Sequence, residues 1–158
     1  MSNNKDDIQD KYNELNSKAN IIYKFVTTYS DYIKKPRDYG TGDIINMVEV
    51  HILTIIEENP GITATEVALG WNRTKGAISQ TIAKLENKGL ILRKKEETNA
   101  KNIHLYATEQ GKILSQAHKA YDIEELTVAN EILSEDFTAE EIDIFYKIMN
   151  KYTNLLNK

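Results

Sequence analysis

Between Thr74 and Asn87 the sequence separates two kinds of side chain at helical spacing. Ile78, Ile82 and Leu85, with Thr81 beside them, fall on one face, the pattern of a helix packed on a core. Lys75, Gly76, Ser79, Gln80, Ala83, Lys84 and Asn87 fall on the other. That second face is small, polar and basic. Such a surface can approach hydrogen-bonding edges closely, and its ammonium groups suit an anionic partner. More cations flank it: Arg73 leads in, just ahead of Thr74, and Arg93, Lys94, Lys95 and Lys101 follow. From Trp71 to Lys101 eight basic residues stand against three acids, Glu86, Glu96 and Glu97, a local charge of +5. The whole chain carries −4, so the remainder carries −9. Lysines that merely solvate a helix face would give a similar cluster. A basic face on an acidic body is what binding a nucleic acid through one side requires.

Other chemistry finds little support. No nucleophile elbow, phosphate-cradling glycine loop or zinc-hydrolase motif occurs, so no catalytic residues, enzyme activity or cofactor are expected. There is no cysteine, which excludes disulfides, thiolate metal sites and cysteine redox switching. The histidines are His51, His104 and His118. Glu49 and His51 are two apart on a predicted helix and point in different directions. His118 could join His51 only through tertiary packing. No metal site is therefore assigned. The first residues, MSNNKDDIQDKYNE, are polar and acidic, unlike a signal peptide. No apolar run is long enough to span a bilayer, so a cytoplasmic protein without a membrane partner is expected.

The elements around the basic face follow from caps and periodicity. Thr63-Ala64-Thr65-Glu66 is a capping box, with Ile62 and Val67 placed to staple it. A short helix follows, and Gly70 and Asn72 mark the turn after it. Thr74 is the N-cap of the second helix, and Gly89 ends it. Leu90–Lys95 and Ile103–Ala107 read as two strands joined by a polar tip, Glu96 to Asn102. In the second strand Ile103, Leu105 and Ala107 alternate with His104 and Tyr106. Helix, turn, second helix and basic hairpin thus occur in the order of a winged helix-turn-helix.

Beyond this stretch, Ile8, Tyr12, Leu15, Ala19, Ile22, Val26, Tyr29 and Ile33 recur at alternating spacings of four and three, a heptad-like stripe. Met1 to Asp7 is expected to fray, and Pro36 to end the helix. The stripe fits an ordinary core helix or a dimerisation arm. Arg37 to Ile45 reads as a loop. Asn46-Met47-Val48-Glu49 is a second capping box, opening a helix to about Glu58. After Thr108 a helix carries Ile113, Leu114, Ala117, Tyr121, Leu126, Ala129, Ile132 and Leu133. Thr138 and Glu141 cap the last helix, striped by Ile142, Phe145, Met149, Tyr152 and Leu156.

The stretch from Thr63 to Thr108 resembles the DNA-binding domain of the MarR family of bacterial transcription regulators. The residues that carry the likeness are Thr74-Lys75-Gly76-Ala77-Ile78-Ser79, Leu85-Glu86-Asn87-Lys88-Gly89-Leu90-Ile91, and Thr108-Glu109-Gln110-Gly111. The resemblance implies a mainly α fold with a small β-hairpin wing and long dimerisation helices at both ends. It divides the chain into 1–45, an N-terminal arm and loop, 46–108, the winged helix-turn-helix, and 109–158, the C-terminal arm. It implies a homodimer on double-stranded DNA, an inverted-repeat operator, and a repressor that answers a small-molecule effector. Arg73, Thr74, Lys75, Gly76, Ser79, Gln80, Lys84, Lys94, Lys95, Asn99 and Lys101 are then the DNA-contacting set. Ser79 and Gln80 reach bases, Thr74 and the helix-start amides hold phosphate, and the cations neutralise backbone. Tyr23, Tyr32, Tyr39, His51 and Tyr121 are candidates to line the effector cleft, although tyrosine also suits core and interface packing. Two other readings stay open: a winged-helix module that binds protein rather than DNA, and a zinc-responsive regulator of the same family.

The family wing usually carries an Asp-x-Arg pair, and this chain has Asn99 and Lys101 there. Arginine is weakly hydrated and favoured in narrow minor grooves, whereas lysine behaves as a hydrated point charge. Lys101→Ala should therefore reduce affinity about equally for A·T-rich and G·C-rich operator flanks, measured at two salt concentrations. A loss confined to A·T-rich flanks would show instead that Lys101 reads groove shape.

Overall fold

The computed structural model describes residues 3–95 and 103–156. The polar tip of the wing, with Asn99 and Lys101, lies outside the described residues. Helix α1 spans Asn3–Lys34, α2 Met47–Glu58, α3 Ala64–Gly70, α4 Lys75–Asn87, α5 Glu109–Leu133 and α6 Ala139–Leu156. Four short strands complete the order: β1 Arg37–Asp38, β2 Ile44–Ile45, β3 Ile91–Lys95 and β4 Ile103–Ala107. Two compact units make up the chain, Met1–Ser115 and Gln116–Lys158.

In the first unit α2 is the centre. Its Val50, Ile52, Leu53 and Ile56 are buried, as are Val67 of α3, Ile78, Ile82 and Leu85 of α4, Leu90, Ile91 and Leu105 of the wing, and Leu114 of α5. Each such aliphatic side chain contributes about 1.5–3 kcal/mol by leaving water. Every helix feeding this core starts on a side-chain cap. Asn46 Oδ1 accepts the Glu49 amide at 2.9 Å, and Glu49 Oε2 accepts the Asn46 amide at 3.4 Å. Thr63 and Glu66 form the same reciprocal pair on α3. Between α3 and α4 it is Asn72 that takes the left-handed conformation, with φ 48, while Gly70 completes the helix.

The C-terminus of α4 is the best-defined joint. Gly89, at φ 70, donates its amide to the Glu86 carbonyl at 2.8 Å, and Leu90 donates to Leu85 at 3.0 Å. This pair of bonds is a Schellman motif, and the left-handed residue at its corner favours glycine. The same turn is gripped from the start of α5. Thr108 donates its amide to Leu90 O at 3.0 Å and its hydroxyl to Gly89 O at 2.7 Å. Thr108 Oγ1 in turn accepts the Gly111 amide at 3.1 Å, capping α5.

β3 and β4 pair antiparallel from Ile91 opposite Ala107 to Lys95 opposite Ile103. The expected alternation in β4 holds at its base, where Leu105 is buried, and fades outward, where Ile103 is exposed. A wing strand leaves the core as it extends, so its outer residues have nothing to pack on. The segment Arg37 to Ile45, expected to be a loop, contains the β1–β2 hairpin instead, pairing Arg37 with Ile45 and Asp38 with Ile44. Two-residue strands are too short to show a period. What closes this one is the Asp38 carboxylate, whose Oδ1 accepts the amides of Gly40, Thr41 and Gly42. Helix α1 also begins earlier than expected, at Asn3. Along it Ile8, Tyr12, Leu15, Ile22, Val26 and Tyr29 are exposed in the single chain, while Tyr32 and Ile33 near its end are partly covered.

The second unit holds the rest of α5 and all of α6. The Thr138–Glu141 capping box forms as expected. The Thr138 amide and then its hydroxyl hold the Glu141 carboxyl below the usual glutamate range. No residue of α6 is buried, and Ile144, Phe145, Ile148, Tyr152 and Leu155 are exposed.

A Cβ at Gly111 would run into the Leu90 carbonyl oxygen, which is backbone and already bonded to Thr108. Gly111→Ala must therefore push α5 away from the α4 turn. Overpacking of this kind typically costs about 1–3 kcal/mol, and thermal denaturation should show a clear drop in Tm. An unchanged Tm would mean that this joint yields freely.

Candidate nucleic-acid interface

Helix α4 presents the face that the sequence assigned to it. Arg73, Thr74, Lys75, Gly76, Ser79, Gln80, Lys84 and Asn87 are all exposed, and Ala83 is half-buried. Ile78, Ile82 and Leu85 anchor the opposite side. Thr74 caps the helix, its Oγ1 accepting the Ala77 amide at 3.3 Å. No acid occupies the first turn. The positive end of the helix is thus left uncompensated beside Lys75, a setting that attracts anions.

The wing stands beside this helix. Arg93, Lys94 and Lys95 are exposed along β3. Lys94 Nζ lies 5.0 Å from the Tyr106 ring centroid, within range of a cation–π contact. Thr65 at the start of α3, Lys75 and Ser79 of α4, and Arg93 and Ile103 of the wing line one open groove of about 420 Å³. The structure therefore brings Lys75 and Ser79 together with Arg93, a residue that the sequence reading counted as charge but did not place in the site. Its signal was its position two residues after buried Ile91, on the strand that leaves the end of α4.

The wing base is tied to the start of α3. Gly61 donates its amide to Leu105 O at 2.9 Å, Leu105 donates to Ile62 O at 3.0 Å, and Thr63 bridges to His104. His104 Nδ1 sits 2.7 Å from Gly61 O. Glu66, one turn on, has its carboxyl held below the usual glutamate range, first by the Thr63 amide, then by the Thr63 hydroxyl, with His104 adding a smaller attraction.

Two cations of the face carry acids. Lys84 Nζ is 3.2 Å from Glu49 Oε1, and Arg93 Nε is 2.9 Å from Glu86 Oε2. Lys88 Nζ donates to the Ile44 carbonyl at 2.8 Å. None of these tethers was legible in the sequence, because each partner pair is set by packing.

The proposed effector residues are more dispersed. Tyr23 is exposed on α1. Tyr32 is half-buried, its hydroxyl accepting from Arg37 at 3.0 Å and its ring lying 4.3 Å below that guanidinium. Tyr39 is buried, and His51 is half-buried with its ring 5.9 Å from Trp71. Tyr121 belongs to the Gln116–Lys158 unit, as does His118, which is buried with Nε2 3.2 Å from Asp122. None of the five lines the groove beside α4.

A three-helix reading head with a capped, exposed third helix and a basic antiparallel hairpin defines a winged helix-turn-helix. Residues 45–103 match the model of the MarR family. It is 31% identical over 93 residues to the uncharacterized HTH-type transcriptional regulator YhjH of Bacillus subtilis (strain 168), covering 58% of this chain and 53% of that one. The chain thus matches about half the length of this curated relative. Among solved structures it is similar to Streptococcus pneumoniae FabT in complex with DNA, with a TM-score of 0.63 at 22% identity, over 92% of this chain and 97% of that one. It is also similar to the S. aureus MepR–DNA complex, with a TM-score of 0.69 at 20% identity, over 86% and 96%. At these identities the likeness is one of fold. The family is one of transcription regulators rather than enzymes. Among the described residues no helix is long and apolar enough to cross a membrane.

Because Glu66 titrates low in the folded chain, its cap stabilises α3 above the ordinary glutamate range. That contribution is lost as pH falls through the folded value. Thermal stability followed from neutral pH into acid should decline across this window, and Glu66→Gln should flatten the decline. An identical pH profile for the variant would detach the wing-side cap from acid sensitivity.

Proposed function

We propose that this protein is a DNA-binding transcription regulator that works in the cytoplasm as a homodimer. The observation that carries the reading is the outward face of α4, small, polar and basic, beside a basic wing and in a fold shared with proteins solved on DNA, FabT and MepR. Each subunit lays α4 in a major groove. Ser79 and Gln80 face base edges, which small and amide side chains can reach. Thr74 and the free amides of the first turn, with Lys75, hold backbone phosphate, and Gly76 lets the backbone come close. Arg73, Lys94 and Lys95, with Asn99 and Lys101 at the tip, lie along the flanking backbone and minor groove.

Segments 1–45 and 109–158 serve as the dimerisation arms of a reading head at 46–108. Support comes from the apolar rows left uncovered in the single chain, Ile8 to Tyr29 on α1 and Ile144 to Leu155 on α6. Two-fold symmetry then demands an inverted repeat whose half-site centres lie about 10 bp apart or a multiple of that. The family likeness supports repression relieved by a small-molecule effector.

Selection of random duplexes on the purified protein tests the reading in one step. The expected product is an inverted repeat, bound in a strongly salt-dependent way. Repeated with Gln80→Ala, the selection should lose preference at particular positions, each at a cost of about 1–3 kcal/mol if the amide makes a paired contact to a base. Selection of no duplex at all would leave a protein-binding winged helix as the better description. Unchanged preference at every position would show that α4 is turned differently in the groove.

A further inference from the structure

The two acid-paired cations of the interface differ in their surroundings. The Glu49 side chain retains 10% of its exposure, against 65% for Lys84. The same carboxylate has a second duty. Its Oε2 accepts the Asn46 amide at 3.4 Å and so closes the capping box of α2. Glu49 is thus fixed by the backbone it caps and cannot follow Lys84 outward. Arg93 and Glu86 are open to water instead, at 34% and 40% exposure. A solvated pair of this kind is weak and exchanges readily. A sheltered carboxylate stripped of its cation is strongly disfavoured.

A duplex phosphate competes for both cations. For Arg93 the exchange is nearly even. For Lys84 it strands Glu49 while bringing a polyanion towards it. We infer that Glu49 keeps Lys84 when DNA binds. Lys84 is then a positioning residue that pins the recognition helix α4 to α2, not a phosphate ligand. A second tether lies one turn on, where Lys88 Nζ holds the Ile44 carbonyl at 2.8 Å. Residues four apart share a face of a helix. Together Lys84 and Lys88 hold the C-terminal half of α4 to residues 44–49, and so set the angle at which Ser79 and Gln80 meet the groove.

The inference rests on the DNA-binding reading, and salt dependence separates the two. Affinity is measured against salt concentration on a duplex selected by the wild-type protein and on a scrambled duplex. Each phosphate neutralised contributes about 0.9 to the slope of log affinity on log salt. Lys84→Ala should leave the wild-type slope unchanged and narrow the ratio between selected and scrambled duplexes. Glu49→Gln keeps the cap, because glutamine also serves at that position of a capping box, and it releases Lys84. Its slope should steepen by about 0.9, and adding Lys84→Ala should remove that gain. Arg93→Ala should flatten the wild-type slope by about the same amount. If Lys84→Ala alone flattens the slope by about one unit, Lys84 is a phosphate ligand and the inference is overturned. If Glu49→Gln does not fold, the slopes of Lys84→Ala and Lys84→Met decide the matter without it. A wild-type protein that binds no duplex overturns the DNA reading itself, and this inference with it.

Discussion

The turn at Gly89 and Leu90 is the joint on which the reading head depends. Four backbone groups at the end of α4 would otherwise be unsatisfied. Here the Schellman bonds take two of them, and the chain leaves at a fixed angle into β3. Thr108, just past the second strand of the wing, then bonds the carbonyls of the same turn. The helix, both ends of the hairpin and the first turn of α5 are thereby tied at a single turn of backbone. The direction of the wing relative to α4 follows from these local hydrogen bonds. A surface that must fit both a groove and its flank needs that angle fixed before the partner arrives.

Charge is organised around the same joint. The basic residues are concentrated between Trp71 and Lys101 although the chain as a whole is acidic. Within that patch the cations are not equivalent. Arg73, Lys75 and Lys95 are exposed on the surface, Lys94 leans on Tyr106, Arg93 shares an open pair with Glu86, and Lys84 is bound to a sheltered carboxylate. Burial, not formal charge, decides which of them can be exchanged for phosphate. A count of lysines and arginines therefore overstates the charge that the protein can offer to a polyanion.

What the sequence disclosed about this architecture was whatever depends on neighbours in the chain. All three reciprocal capping boxes, at Asn46, Thr63 and Thr138, join residues three apart, and all three form. The buried face of α4 and the left-handed Gly89 are local in the same sense. The β1–β2 hairpin was missed because its strands hold two residues each, and its organiser is a single carboxylate, Asp38, that caps a run of amides. The site was legible in residue type and not in connection. Lys84 meets Glu49 across 35 positions, and Lys88 meets Ile44 across 44. No spacing rule reaches that far. Arg93 was counted but not placed, because only the packed hairpin shows that it shares a groove with Lys75 and Ser79.

The helices outside the reading head set a different constraint. A soluble chain rarely leaves long rows of large apolar side chains in water. Here α1 exposes Ile8, Tyr12, Leu15, Ile22, Phe25, Val26 and Tyr29, and α6 buries nothing. The reading head already has its own core around α2, so these rows add nothing to its stability. Their cost is offset only by burial elsewhere, and a second copy of the chain offers surfaces of the same composition. A self-complementary contact is two-fold by construction. It would also present two α4 helices related by that axis, which is the geometry an inverted repeat requires. On this argument the symmetry of the proposed target is a consequence of where the apolar surface lies, not of any residue in the recognition helix.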